Sequence, residues 1–317
     1  MITICLVAGF VLLFFGGEAL VRGAVGTARS FNVSPLVIGL TIVAMATSAP
    51  ELVVSLQAAW EGKPAIAIGN VIGSNIANIL LILGAGAVIA VLPCQKALVY
   101  RDGMMMLFGS VVLIALAYTG IIERWQGLVL LALLVGFIVY TFRTEARNHD
   151  AGSEVHESEA DEIPSPPGGT LGAVGLVLLG VGVLVAGAQM LVYGATSLAR
   201  DFGVSEAVIG LSVVAIGTSL PELASVTVAA WRGHADVALG NVIGSNIFNV
   251  FAILGATATV VPVPIEASFL HVDIWVMLAA SALLLPLMLS GAKLSRVEGF
   301  MFLGAYAAYI GWIFQGL

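Results

Sequence analysis

Thr47-Ser48-Ala49-Pro50-Glu51 lies inside an apolar segment that runs from about Leu36 to Trp60. Its echo, Thr218-Ser219-Leu220-Pro221-Glu222, lies inside another, from about Ala207 to Trp231. Each places a carboxylate, two hydroxyls and a helix-breaking proline within a stretch long enough to cross a bilayer, for which about 20 apolar residues suffice. A charged side chain at the bilayer centre costs at least about 2.5–3.5 kcal/mol on insertion scales. A proline kink whose freed backbone is satisfied by hydroxyls explains the proline, serine and threonine. It does not explain the glutamates, so Glu51 and Glu222 are read as functional.

Working outward, the two stretches belong to two repeats. A shift of 171 residues aligns Gly16–Asp102 with its echo without a gap, and 14 of 25 positions are identical between 36–60 and 207–231. Gly69–Ile76 and Gly240–Ile247 agree at all eight positions. Spans of membrane length fall at about 2–28, 36–60, 65–92, 103–121 and 125–142, and again at 171–199, 207–231, 236–261, 272–290 and 296–315. Five spans per repeat is an odd number, so the repeats enter the membrane in opposite directions. The expected fold is an all-α membrane protein: ten transmembrane helices as two inverted five-helix repeats. The expected units are residues 1–142, an acidic linker 143–170, and residues 171–317.

The totals agree. Of 317 residues, 60% are hydrophobic and 10% charged, and the mean hydropathy is +1.07, which excludes an ordinary soluble domain. The net charge of −7 reflects a local cluster, because seven of the 19 acidic residues lie between Glu145 and Glu162. No basic patch suggests nucleic acid, and Cys5 and Cys94 lack disulfide or metal spacing. The N-terminal segment lacks a positive n-region, so it is expected to stay as the first span. With the N-terminus outside, nine Lys and Arg fall on the cytoplasmic side and three on the outer side. The positive-inside rule therefore favours N-out and C-out, with the linker in the cytoplasm of a multi-pass cell-membrane protein.

Thr47 and Glu51 are four residues apart, hence on one helical face, with Ser48 beside them. Pro50 and Pro221 should break their helices, denying a hydrogen bond to the carbonyls of Ala46 and Gly217. Freed backbone at membrane depth is tolerated where it lines a cavity, and there it can coordinate cations. The third and eighth spans add Gly69-Asn70-Val71-Ile72-Gly73-Ser74-Asn75-Ile76-Ala77-Asn78 and its echo, which ends at Phe248-Asn249. Gly69, Gly73 and Ala77 form a small-residue stripe for close helix approach. Ser74 and Asn78 share one face; Asn70 and Asn75 are open between interhelical hydrogen bonding and ion contact. Carboxylates, hydroxyls, amides and carbonyls, with no Cys or His, suit a hard cation such as Ca²⁺, which takes about six to eight oxygens. Two carboxylates balance one Ca²⁺ or two Na⁺, whereas an empty site leaves buried charge unpaired.

At these residues the sequence resembles the sodium/calcium exchanger family of the cation/calcium antiporters, in its short prokaryotic form. The resemblance covers both repeats. It implies antiport with no cofactor and no catalytic residue, exchanging about three Na⁺ for one Ca²⁺ and so moving one charge per cycle. By resemblance, Glu51 and Glu222 bind Ca²⁺ with Thr47 and Thr218. Ser48, Ser74, Ser219 and Ser245 and the carbonyls of Ala44 and Ala215 complete the Na⁺ sites, and Asn78 and Asn249 close the centre. An Asp stands at the position of Asn249 in potassium-dependent relatives, so K⁺ co-transport is disfavoured. Proton-coupled relatives carry an acidic residue where this chain has Gly73 and Gly244, which favours Na⁺ over H⁺. H⁺/Ca²⁺ antiport is the alternative, a cation channel is disfavoured, and an enzyme is not supported. A single chain is expected to function as a monomer in the lipid bilayer.

Elsewhere, Glu18 and Arg22 are spaced for an intrahelical ion pair. Asp102 and Asp273 match across the repeats at the starts of spans, where helix capping is a sufficient reason for them.

Overall fold

The computed structural model describes residues 2–31, 48–94, 96–148, 164, 168–232 and 235–315. Helix α1 is Ile2–Ser30 and α2 is Ala49–Trp60. Helix α3, Pro64–Ile89, contains a π-helical turn at Ala77–Leu83. Helices α4, Lys96–Ala117, and α5, Arg124–Asn148, complete the first repeat. The second begins with α6, Gly169–Phe202. Helices α7, Glu206–Thr218, and α8, Leu220–Trp231, meet at a break with a bend of 45°. Helix α9 begins at Ala235–Phe248 and continues through a π turn, Asn249–Leu254, into Gly255–Val260. Helices α10, Asp273–Gly291, and α11, Arg296–Gln315, end the chain. Among the described residues seven helices are long and apolar enough to span a membrane, and the bent pair makes an eighth. Residues 36–47 of the expected 36–60 span lie outside the described residues. Helix α4 starts before its apolar run and α5 outlasts its own, because helix-forming residues such as Arg143, Glu145, Ala146 and Arg147 extend the backbone ladder.

The repeats are related by a pseudo-two-fold axis, and the axis can be located. A residue that touches its own counterpart must lie on it. Ser110 Oγ donates to Ser281 Oγ at 3.2 Å, and Asn246 Nδ2 donates to the Asn75 carbonyl at 3.4 Å. Both pairs are 171 residues apart, the shift of the sequence repeat. Two short antiparallel pairings follow the same symmetry: Leu92–Pro93 with Lys293–Leu294, and Ile121–Ile122 with Val263–Pro264.

The counterpart helices α1 and α6 run antiparallel, backbone to backbone. Gly9, Gly16 and Gly23 meet Leu191, Leu184 and Val177 in turn, and Gly180 and Gly187 meet Leu20 and Leu13. A Cβ on Gly23 or Gly180 would stand 2.6 Å from a partner backbone nitrogen. Glycines spaced by seven on both helices make this seam, the close small-residue packing that replaces hydrophobic drive inside a bilayer.

Helices α3 and α9 form the centre. Their apolar windows are 78% buried, against 22–33% for the other long spans, so the outer helices present apolar side chains outward, as a lipid solvent requires. The expected stripe is observed: a Cβ on Gly69 would meet Gly210 Cα at 3.0 Å, and one on Gly73 would meet the Leu211 carbonyl oxygen at 2.6 Å.

Candidate ion-binding site

The same serine precedes the glutamate-bearing helix in both repeats. Ser219 separates α7 from α8 with φ −86° and ψ 10°, and Ser48 precedes α2 with φ −87° and ψ 9°. Pro50 and Pro221 stand in the first turn of the following helix, where a missing N–H costs nothing. In the second repeat the expected kink is therefore a break. Its consequence is electrostatic: Glu51 and Glu222 lie in the first turn of α2 and α8, where the positive end of the helix dipole favours negative charge.

The break brings the two repeats together. Ser219 Oγ donates to Glu51 Oε1 at 2.9 Å. Glu222 stands close enough to Glu51 for Coulombic repulsion, and Ser48 faces Glu222 without closing a hydrogen bond. Each glutamate is 1% exposed. No ion pair among the described residues includes either one. Two neighbouring buried carboxylates without a counter-charge are costly unless a cation joins them.

Several oxygens of the expected site residues are short of partners. Ser48 Oγ, Glu51 Oε2, Ser74 Oγ, Asn78 Oδ1, Glu222 Oε2 and Asn249 Oδ1 are buried with no hydrogen-bond donor. Buried polar atoms are nearly always paired. Among the described residues no group of three or more His, Cys, Asp or Glu gathers as a metal cluster; the donors are oxygens of mixed kind, which fits a hard cation.

The remaining expected positions divide. Thr218 is fully buried, and its hydroxyl approaches the Asn70 amide oxygen at 3.1 Å and the Ala215 carbonyl at 3.3 Å. Ala215 also accepts from the Ser219 N–H at 3.1 Å, so its carbonyl is only partly free. Ser245 is buried. Asn78 Nδ2 donates to Asn246 Oδ1 at 3.0 Å, whereas both polar atoms of Asn249 lack partners. Thr47 and Ala44 lie outside the described residues. Asn75 donates to the Val71 carbonyl at 2.7 Å and Asn70 to Ser55 Oγ at 2.9 Å; for both, the interhelical or backbone role is the one seen.

Several features escape sequence reading. Ser55 has no echo, because Val226 stands in its place, and a search by repeats passes over it. The π turns beginning at Ala77 and Asn249 carry no local sequence signal, yet they hold Asn78 and Asn249, in keeping with the frequency of π-bulges at functional sites. Gly217 makes room for a ring: a Cβ there would lie 1.6 Å from Phe10 Cε1 of α1.

Two expectations are corrected. Asp102 lies inside α4, which starts at Lys96, and is held by Arg101 at 2.6 Å. Asp273 opens α10 but caps nothing; its Oδ1 accepts from the Tyr309 hydroxyl at 2.8 Å. The helix extends past the apolar boundary in one case, and a buried phenol competes successfully for the carboxylate in the other. The Glu18–Arg22 ion pair is present.

The family model "Sodium/calcium exchanger protein" matches residues 1–143 and 172–315. The protein CaxA of Alkalimonas amylolytica is 40% identical over 310 residues, covering 97% of each chain. The sodium/calcium exchanger MaX1 of Methanosarcina acetivorans is 31% identical, covering 96% of each chain. Among solved structures, the sodium-calcium exchanger NCX_Mj, soaked with Na⁺ and Sr²⁺, superposes with a TM-score of 0.65 at 32% identity, covering 98% of this chain and 99% of that one.

Proposed function

The chain belongs to the sodium/calcium exchanger family of membrane antiporters, and we propose that it exchanges about three Na⁺ for one Ca²⁺ by alternating access, electrogenically and without K⁺. The observation that carries this reading is the Ser219–Glu51 hydrogen bond of 2.9 Å across the two repeats. It supports a reading in which the two buried carboxylates, Glu51 and Glu222, meet between the repeats, where secondary transporters bind their ions.

In this reading Glu51 and Glu222 hold Ca²⁺ between them, with Thr47 and Thr218 adding hydroxyl oxygens. Ser48, Ser74, Ser219, Ser245 and the carbonyls of Ala44 and Ala215 serve Na⁺, and Asn78 and Asn249 close the centre. One Ca²⁺ or two Na⁺ neutralise the pair, and a third Na⁺ carries the net charge. An empty site keeps two like charges in low dielectric, so it resists reorientation. That penalty couples the two ion fluxes. Asparagine at both closing positions adds no third negative charge, which is why K⁺ is not required. Ten spans with both termini outside follow from the repeat and from the Lys and Arg count. Both half-sites come from one chain, so a monomer holds the complete site.

The test is radiolabelled Ca²⁺ uptake into proteoliposomes loaded with Na⁺ and diluted into Na⁺-free buffer, with the potential clamped at either sign. Uptake that needs internal Na⁺ and grows when the inside is positive is expected, since each charge moved is worth about 2.3 kcal/mol per 100 mV. Uptake driven by a pH gradient alone would replace Na⁺ with H⁺ as the coupling ion.

A further inference from the structure

Asn70 bridges α2 and α7, and its orientation can be deduced from chemistry. Asn70 Nδ2 faces the Glu51 backbone carbonyl at 3.2 Å and Ser55 Oγ at 2.9 Å. A carbonyl only accepts, so the nitrogen of the amide must point there. The amide oxygen then faces Thr218 Oγ1 at 3.1 Å, and between those two atoms only the hydroxyl has a hydrogen to give. All four residues are at most 1% exposed, so water does not substitute.

The Thr218 hydroxyl has one hydrogen and three acceptors within reach: Asn70 Oδ1 at 3.1 Å, the Ala215 carbonyl at 3.3 Å, and the Glu51 carboxylate beside it. The last two are oxygens that the ion itself would use. A hydrogen directed at either one takes up a lone pair that a cation needs and turns the hydroxyl oxygen away.

We propose that Asn70, anchored by Ser55, is a positioning residue that draws the Thr218 hydrogen away from the ion site and leaves the Thr218, Ala215 and Glu51 oxygens as open acceptors for the cation. This rests on the reading of Thr218 as an ion ligand. The Asn70 nitrogen donates to protein acceptors and its oxygen takes the Thr218 hydrogen, so Asn70 acts on the ion through Thr218.

The device belongs to one repeat. Asn241 is the counterpart of Asn70, but Val226 replaces Ser55, and the Asn241 amide oxygen is buried without a partner. The two half-sites are thus unequal at a position where the GNVIGSNI motif is identical in both repeats. The preorganised half is the one that contains Thr218.

The experiment measures initial rates of Na⁺-driven Ca²⁺ uptake against Ca²⁺ concentration for the wild type, Asn70→Ala, Thr218→Val and the double variant. Loss of one hydrogen bond that orients a ligand predicts about a tenfold rise in half-saturating Ca²⁺ for each single variant, with the maximal rate changed less than about threefold. Because Asn70 acts through Thr218, the double variant should be no worse than Thr218→Val. An undiminished Asn70→Ala effect in the Thr218→Val background would show that Asn70 merely holds helices together, and would overturn the proposal. Wild-type half-saturation in Thr218→Val would instead remove Thr218 from the ion site and overturn the reading beneath it. Should Asn70→Ala fail to fold, Ser55→Ala and Ser55→Thr decide. The alanine variant should raise half-saturation and lose Ca²⁺-dependent thermal stabilisation, and threonine, which keeps the hydroxyl, should restore both. Wild-type behaviour in Ser55→Ala would overturn the anchoring role.

Discussion

Ser219 donates a 2.9 Å hydrogen bond to Glu51, a residue 168 positions earlier in the chain, whereas its counterpart Ser48 faces Glu222 without closing one. Each serine therefore addresses the glutamate of the other repeat, but only one of the two bonds is made. A hydrogen bond to a charged group contributes about 1.5–3 kcal/mol. Ser219→Ala should lower thermal stability in detergent by about that amount, and Ser48→Ala by clearly less. Equal losses in the two variants would mean that the asymmetry has no energetic content.

Removal of either carboxylate should end Ca²⁺ transport. Glu51→Gln and Glu222→Gln are near-isosteric, and each leaves a single negative charge against a divalent cation. Uptake of radiolabelled Ca²⁺ is expected to fall by at least about a hundredfold, equivalent to roughly 2.7 kcal/mol of lost interaction. Near-normal flux in either variant would refute the assignment of the site.

The seam between α1 and α6 predicts a contrast between two neighbouring glycines. A Cβ on Gly180 would lie 2.6 Å from the Leu20 backbone nitrogen, while one on Gly182 meets nothing within 4 Å. Gly180→Ala must push two backbones apart and should destabilise by about 1–3 kcal/mol. Gly182→Ala should be neutral or slightly stabilising, since alanine is the better helix former. Thermal unfolding of the two purified variants checks this.

Gly217 admits the Phe10 ring immediately before the Thr218–Ser219 break, leaving no room for a methyl group. Gly217→Ala should slow exchange by displacing α1 from the break. Phe10→Ala combined with Gly217→Ala should recover much of the rate, because the ring that clashes is gone. Additive losses in the double variant would show that the contact does not couple α1 to the site.

Much of this protein was legible from its sequence, for a reason specific to membranes. A bilayer penalises charge and unpaired backbone so strongly that a glutamate beside a proline in a long apolar run is conspicuous. The repeat then doubles every signal, and two copies of an odd number of spans imply inversion. That reasoning singled out Glu51 and Glu222, which the structure buries near one another, the break beside Pro221, and the close packing at Gly69 and Gly73. It misplaced the roles of Asp102 and Asp273, because an apolar boundary does not say where a helix begins or which buried phenol will claim a carboxylate.

What only the tertiary structure decided is where the symmetry fails. A sequence repeat treats Asn70 and Asn241, Ser48 and Ser219, or Asn78 and Asn249 as equals. Hydrogen bonds are directional and each hydroxyl has one hydrogen, so the partner across the interface settles which member of a pair is spent and which is left open. The Asn70 nitrogen donates to Ser55, a residue outside the repeat pattern, and its oxygen accepts from Thr218; in the other repeat Val226 stands in place of Ser55 and the Asn241 oxygen is buried without a partner. The repeat determines the fold and the two charges at its centre. The packing of one half against the other determines which oxygens are left open.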